Sequence, residues 1–417
     1  MTHEEREKKK KKKKKDLIND KKIHEALQMA NTKDVGQLFR MGILFQGKEM
    51  YGIAEKIFNR IVQLVPEQED AWFCKGVALG HLENYSEAVM CFDRALTINP
   101  HNIHVWYSKG IALGGLERHD EEIACYDKAL EIDPTFLEPW YNKGVTLAIL
   151  GKHDEALHCF DIILKIDPTD ADTWYDRGVT LGALGKHDEA IECYDMALAI
   201  TPDDAEIWSS KGFALTVLKR DEESLACYDK ALKINPRYSE VWSNKGLSLG
   251  NLGKYEEEVA CYDKALEIDP HFIGAWYNKG GALGRLEKYD EALNCYDKAL
   301  ALHPQAADIW FNKGVVLGII GKHEEALHCF DRVLELNPHF DKAWSSKGSA
   351  LGNLGKYEEE IACYDKALEM NPSSAVAWYN KGVALESLGK VEEAHPCYDM
   401  ALKLDPGLHE REGRREV

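Results

Sequence analysis

A tryptophan recurs every 34 residues: Trp72, Trp106, Trp140, Trp174, Trp208, Trp242, Trp276, Trp310, Trp344 and Trp378 are all ten tryptophans of the 417-residue chain. Other residues keep step with them. In the copy at 69–102 these are Gly76, Ala88, Phe92, Ala95 and Pro100. Self-similarity at a fixed period of this length points to a solenoid of stacked units rather than one compact core. The two or three domains that length alone would suggest are therefore not expected.

One copy, EDAWFCKGVALGHLENYSEAVMCFDRALTINPHN, reads as two amphipathic helices. Trp72, Gly76, Val77, Leu79 and Gly80 fall at helical spacing, and a second run from Tyr85 carries Ala88, Val89, Phe92, Ala95, Leu96 and Ile98. The turn between them usually reads Gly-Lys, as at Gly151-Lys152, which suits a helix end needing a left-handed residue. Asn99-Pro100 stops the second helix, because the residue before proline is pushed out of the α region. Gly76 and Ala88 remove bulk where two antiparallel helices must touch. A lone hairpin cannot bury its apolar stripes, so each copy needs a neighbour.

This Trp–Gly–Ala–aromatic–Ala–Pro skeleton resembles the tetratricopeptide repeat (TPR). The resemblance spans copies beginning at residues 35, 69, 103, 137, 171, 205, 239, 273, 307, 341 and 375. It implies an all-α fold, an α-solenoid in which hairpins over 35–408 stack into a right-handed superhelix. The copy at 35–68 is degenerate: Leu38 replaces the Trp, while Gly42, Ala54, Phe58 and Pro66 keep their places. Residues 1–34 stand outside the lattice. They contain the unbroken run Lys8–Lys15, which is expected to be solvated and disordered, and a short amphipathic stretch at 23–29 that could form a helix. Residues 409–417 are a polar tail. The turn Lys219-Arg220-Asp221 lacks the glycine and should weaken its corner, and Pro396 should interrupt the last second helix.

Ten of the eleven cysteines occupy one position of the repeat, from Cys91 to Cys397. Stacked copies lie on the order of 10 Å apart, beyond the ~7 Å between Cα atoms that a disulfide tolerates. No CxxC pair is present, so these read as small buried hydrophobes. Cys74, on a first helix, is expected to be exposed. His119, His153 and His187 share a position with Tyr85, Tyr255, Tyr289 and Tyr357, which marks a packing site rather than a metal column. Neither a G-x4-G-K-[ST] frame nor a GxGxxG occurs. The carboxylates are lattice members, copied many times, whereas a catalytic group is singular. No enzyme activity, cofactor or metal is expected. The chain ends after the last copy, unlike the TPR arrays that precede the catalytic domain of O-linked N-acetylglucosamine transferases.

Two lattice features carry structural expectations. Each Trp copy has Lys or Arg three residues after the Trp and Asp eighteen residues further on. The degenerate copy lacks both, with Met41 and Asn59, so the pairing is read within a copy: Lys75 with Asp93, Lys279 with Asp297. Second, Glu122, Ser224, Glu258 and Glu360 replace a small Ala, and each is followed two residues on by Ala124, Ala226, Ala260 or Ala362. These glutamates are expected to reach Lys109, Lys245 and Lys347.

The resemblance also locates function. In TPR arrays the first helices line a concave groove, and the two residues after the Trp point into it. Here these include Tyr107, Tyr141, Asn142, Tyr175, Asn244, Tyr277, Asn278, Phe311, Asn312, Tyr379 and Asn380. Asparagine donates and accepts at once, which suits an extended backbone, and tyrosine adds amphipathic contact at little entropy cost. The column resembles the asparagine ladder of the O-linked N-acetylglucosamine transferases, broken here by Cys74, Asp176 and Ser210. TPR clamps for C-terminal carboxylates use Lys just after the Trp and Asn four residues later. Tyr107 and Ile111, or Ser345 and Ser349, stand there instead. The rim is acidic, with Asp70, Glu138, Asp172, Glu206, Glu240 and Asp308 two residues before a Trp. The copies carry 37 basic and 61 acidic residues, so a basic segment is favoured. The reading is a cytoplasmic, non-catalytic scaffold for extended or helical protein segments of basic character. The alternative is a polyanion binder, holding RNA or an anionic membrane surface through Lys8–Lys15. The polar N-terminus gives no secretory signal, no apolar run has membrane-spanning length, and the uncapped last copy leaves oligomerisation open.

Overall fold

The computed structural model describes residues 34–407, and all regular structure among them is α-helical. The Lys8–Lys15 run, the helix expected at 23–29 and the tail at 409–417 lie outside the described residues. Chain contacts divide the protein into two units, one ending at Pro202 and the other beginning at Asp203. The first unit contains five helical hairpins among the described residues. They are α1 (Val35–Gln46) with α2 (Tyr51–Leu64), α3 (Glu69–His81) with α4 (Tyr85–Ile98), and α5 (Ile103–Gly114) with α6 (His119–Ile132). The pairs α7 (Leu137–Ile149) with α8 (His153–Ile166), and α9 (Ala171–Ala183) with α10 (His187–Ile200), complete it. The second unit begins with α11 (Ala205–Val217) and α12 (Asp221–Ile234), α13 (Ser239–Asn251) and α14 (Tyr255–Ile268), then α15 (Ile273–Arg285) and α16 (Tyr289–Leu302). It continues with α17 (Ala307–Ile319) and α18 (His323–Leu336), α19 (Asp341–Asn353) and α20 (Tyr357–Met370), and α21 (Ala375–Ser387) and α22 (Val391–Leu404).

The turn inside a hairpin is a left-handed cap. Gly151 takes φ +74°, which lets the Lys152 N–H donate back to the Leu147 carbonyl at 2.9 Å. Lys219 holds φ +60° and the Arg220 N–H makes the same bond to Leu215. The corner expected to be weak therefore follows the common path, and its cost is side-chain strain at one residue. At the other end, Asp133 is extended ahead of Pro134 and ends α6. Pro396 does not interrupt α22, which is continuous from Val391 to Leu404. The ring lacks the N–H for one backbone hydrogen bond, and the helix runs on past it.

Within a hairpin the glycine four residues after the Trp meets the second-helix aromatic. A Cβ on Gly110 would stand 2.5 Å from the Tyr126 ring, and one on Gly76 equally close to Phe92. All eleven cysteines are buried and unbridged. Cys74, expected at the surface, is buried in the apolar cluster of Leu38, Ile57 and Phe58 from the degenerate copy, and burial pushes its thiol up to about 12.

Successive copies are fastened by the periodic residues. The Trp140 indole N–H donates to the Pro134 carbonyl of the copy before it at 3.0 Å. Lys143 lies over that indole and reaches back to Asp127 at 2.5 Å. The ion pairs therefore join neighbouring copies: Lys109 with Asp93 at 2.6 Å, Lys279 with Asp263 at 2.5 Å, Lys313 with Asp297 at 2.5 Å. The expected pairings of Lys75 with Asp93 and of Lys279 with Asp297 do not form. Asn59 still serves Lys75 at 2.8 Å, so the loss of the aspartate in copy 35–68 leaves a contact to the next copy in place.

Candidate functional site

The eleven groove positions named from the sequence are all half-buried. Their rings lean on the second-helix aromatic of their own copy, with centroids 6.0 Å apart for Tyr107 and Tyr126, 6.0 Å for Phe311 and Phe330, and 5.5 Å for Tyr379 and Tyr398. Three of the groove hydroxyls, those of Tyr107, Tyr141 and Tyr277, meet a side chain of the next copy. Asn142 donates to the Tyr107 hydroxyl at 3.1 Å, and Asn312 to the Tyr277 hydroxyl at 2.8 Å. The Tyr141 hydroxyl donates to Asp176 at 2.6 Å, and burial together with that carboxylate holds its pKa above the ordinary tyrosine value. Asp176, which breaks the asparagine column, thus takes over the same bridge. Asn244 and Asn278 make no side-chain hydrogen bond among the described residues, because Ser209 and Ser243 stand where the bridging tyrosine would be.

Five of the named residues meet in one place. A cleft of about 420 Å³ across α5, α7 and α9 is lined by Tyr107, Tyr141 and Asn142, with Glu138 and Asp172 at its wall. All six rim acids, Asp70, Glu138, Asp172, Glu206, Glu240 and Asp308, are exposed. Tyr175 stands on α9, Asn244 on α13, Tyr277 and Asn278 on α15, Phe311 and Asn312 on α17, and Tyr379 and Asn380 on α21, each in its own copy. Phe136 also lines the cleft, edge-on to Tyr107 at 5.4 Å, and is not among the groove positions expected from the sequence. Its signal is Tyr238, Phe272 and Phe340 at the same closing position of their copies. A hollow of about 720 Å³ near Trp174 and Cys193 has a larger volume. Its walls are the fastening groups Asp161 and Arg177, already engaged with each other at 2.9 Å, so the cleft is the better candidate.

The replaced alanines form a second polar set. Glu122, Glu258 and Glu360 are buried, and none reaches the lysine expected for it. Lys109, Lys245 and Lys347 are held by Asp93, Asp229 and Asp331. Glu122 instead takes hydrogen bonds from the Tyr126 hydroxyl at 3.1 Å and the Thr146 hydroxyl at 3.0 Å, with His119 Nδ1 at 2.9 Å. Ser224 joins Ser248 at 2.8 Å, and Ser248 lies 2.9 Å from Thr216. Glu258 takes both oxygens to Arg285, at 2.8 and 2.9 Å. Burial pushes the Glu360 carboxyl up to about 7, against a hydrogen bond from Tyr364 that draws it down. Glycine makes the room: a Cβ on Gly250 or Gly352 would lie 2.6 or 2.5 Å from the Glu258 or Glu360 carboxylate. A tyrosine stands four residues after each replacement, at Tyr126, Tyr228, Tyr262 and Tyr364, but Tyr194, Tyr296 and Tyr398 follow retained alanines at the same spacing, so the sequence carries no distinguishing signal there. Nothing in the structure explains the exposed Ala124, Ala226, Ala260 and Ala362.

A tetratricopeptide repeat model matches residues 69–102, 171–204, 239–272, 274–305, 307–340 and 375–408. Two further tetratricopeptide repeat models match 103–136 with 205–238, and 125–158, and a TPR repeat model matches 348–389. Together these take in most of the chain. The protein belongs to the tetratricopeptide repeat family. The TPR fold is a protein-interaction scaffold. Among solved structures, YrrB, titled as a TPR protein with an unusual peptide-binding site, is 29% identical, with a TM-score of 0.39 over 44% of this chain and 97% of that one. The Cut9-Hcn1 hetero-tetramer of APC/C is 14% identical, with a TM-score of 0.46 over 91% of this chain and 95% of that one. A structure of MamA is 21% identical, with a TM-score of 0.38 over 40% and 96%. The comparison with curated proteins gives no match. Among the described residues of this TPR chain, no helix is long and apolar enough to cross a membrane.

Proposed function

We propose that this TPR array is a non-catalytic scaffold that holds an extended or helical polypeptide segment of basic character against its first helices. The observation that carries the reading is the cleft in which Tyr107, Tyr141 and Asn142 share a wall with Glu138 and Asp172. With the Asn142 amide nitrogen given to Tyr107, its carbonyl oxygen remains to accept from a peptide N–H. The tyrosine rings, fixed by the aromatics behind them, offer contact area that costs little entropy. The exposed carboxylates favour basic ligands and speed their arrival.

The test is a binding screen of the full-length protein against peptides matched in length and differing in charge. Anisotropy titrations then follow for those retained. Replacing Tyr141 and Asn142 together by Ala should weaken binding about tenfold or more, the equivalent of roughly 1.4 kcal/mol. Glu138→Lys with Asp172→Lys should remove the preference for basic peptides. Unchanged affinity in both variants would reject the cleft.

A further inference from the structure

We propose that a second pocket on the first helices, closed at its base by Glu360, receives an arginine side chain of the bound polypeptide; this deepens the scaffold reading and rests on it. The pocket, about 240 Å³, lies among α19, α20 and α21, with Tyr357 and Glu360 of α20 and Asn380, Val383 and Ser387 of α21 among its walls. Glu360 is 7% exposed, packed over Gly352, and no cationic side chain among the described residues pairs with it. Among the described residues its side-chain partner is the Tyr364 hydroxyl, itself 3.0 Å from Ser349.

The chain shows what fills such a place. Three copies earlier, Gly250, Tyr255, Glu258 and Tyr262 build the same frame. There Arg285, from the next copy, sets its guanidinium on both Glu258 oxygens and 5.0 Å from the centre of the Tyr255 ring. The residue equivalent to Arg285 in the Glu360 frame is Ser387, too short to arrive. The carboxylate and the Tyr357 ring are in place, and the cation is missing. A buried carboxylate without a counter-charge is costly, and a bidentate guanidinium stacked on an aromatic face relieves that cost. Lysine matches the charge but neither the fork nor the plane.

The probe is Nα-acetyl-arginine N-methylamide, titrated into the full-length protein carrying 13C-labelled valine and alanine methyls. The Val383 and Ala384 methyls, beside Glu360, should shift and saturate, while Ala282, beside the seat that Arg285 already fills, should not. The neutral citrulline analogue should bind at least tenfold more weakly, as should the arginine probe to Glu360→Gln. Ser387→Arg should abolish the response by filling the pocket from within. Circular dichroism of both variants confirms that the helices are retained. The proposal is overturned by the absence of saturable shifts, by equal binding of citrulline, or by an undiminished response in either variant. Equal binding of the lysine analogue overturns the guanidinium assignment. If the probe fails while peptides still bind at Tyr141 and Asn142, this pocket is rejected and the scaffold reading stands. Saturable probe binding with no polypeptide held anywhere on the array rejects the scaffold and, with it, the polypeptide occupant.

Discussion

Lys219 holds the left-handed backbone conformation that Gly151, Gly185, Gly253, Gly321, Gly355 and Gly389 hold at the same turn. A side chain there is strained, so Lys219→Gly should raise stability by about 0.5–1 kcal/mol, read as a higher urea midpoint with an unchanged slope. Glu360 makes a prediction of opposite character. Its folded-state pKa is about 7, above the ordinary 4.5, so the folded protein holds this proton more tightly than the unfolded chain does. The resulting stabilisation is complete below about 4.5 and is lost as the pH rises through 7. The titratable groups facing Glu360 in its pocket are the Tyr357 and Tyr364 hydroxyls, and burial raises the Tyr364 pKa further from this range. Glu360→Gln should therefore gain thermal stability relative to the parent as the pH is raised from 5 to 8, and the difference should level off above that. A pH-independent difference would show that the carboxyl titrates normally.

At the level of elements, the junctions between neighbouring copies within a unit repeat one device, with Asn59 standing in for the aspartate at the first of them. The indole N–H reaches back to a proline carbonyl, and a cation on the indole face reaches back to an aspartate. Lys279 is mostly covered while Asp263 is about half exposed, so coupling should sit toward the upper end of surface ion pairs, about 0.5–1 kcal/mol. A double-mutant cycle with Lys279→Met and Asp263→Asn should show it, and the cycle of Lys279→Met with Asp297→Asn should be additive. Coupling in the second cycle alone would restore the within-copy pairing. Sequence alone could not choose between these partners. Asp263 lies 16 residues before Lys279 and Asp297 lies 18 after it, and a period of 34 makes both columns equally regular. The stacking direction of the hairpins decides, because within a unit it brings a first helix such as α15 against the second helix of the copy before it.

The molecule as a whole carries a net charge of −19, and the copies are more acidic than the chain. A basic ligand should accordingly lose affinity with ionic strength, since exposed carboxylates such as Glu138 and Asp172 are screened over about 10 Å at 0.1 M salt. Titrations of one retained basic peptide between about 50 and 500 mM salt should show a falling association rate and a nearly constant dissociation rate. A flat profile would mean that the rim does not steer. The sequence by itself determined the helical hairpins, their boundaries, the burial of the ten periodic cysteines and the family. Each of those rests on local spacing, caps and prolines inside one 34-residue copy, repeated until chance is excluded. Tertiary structure alone decided where Lys279 points, that Cys74 is covered, that Asn312 is engaged while Asn278 is free, and that Glu258 is neutralised while Glu360 is not. All of these depend on which side chain of the next copy arrives across the junction, and a period fixes that two copies meet without fixing which atoms do.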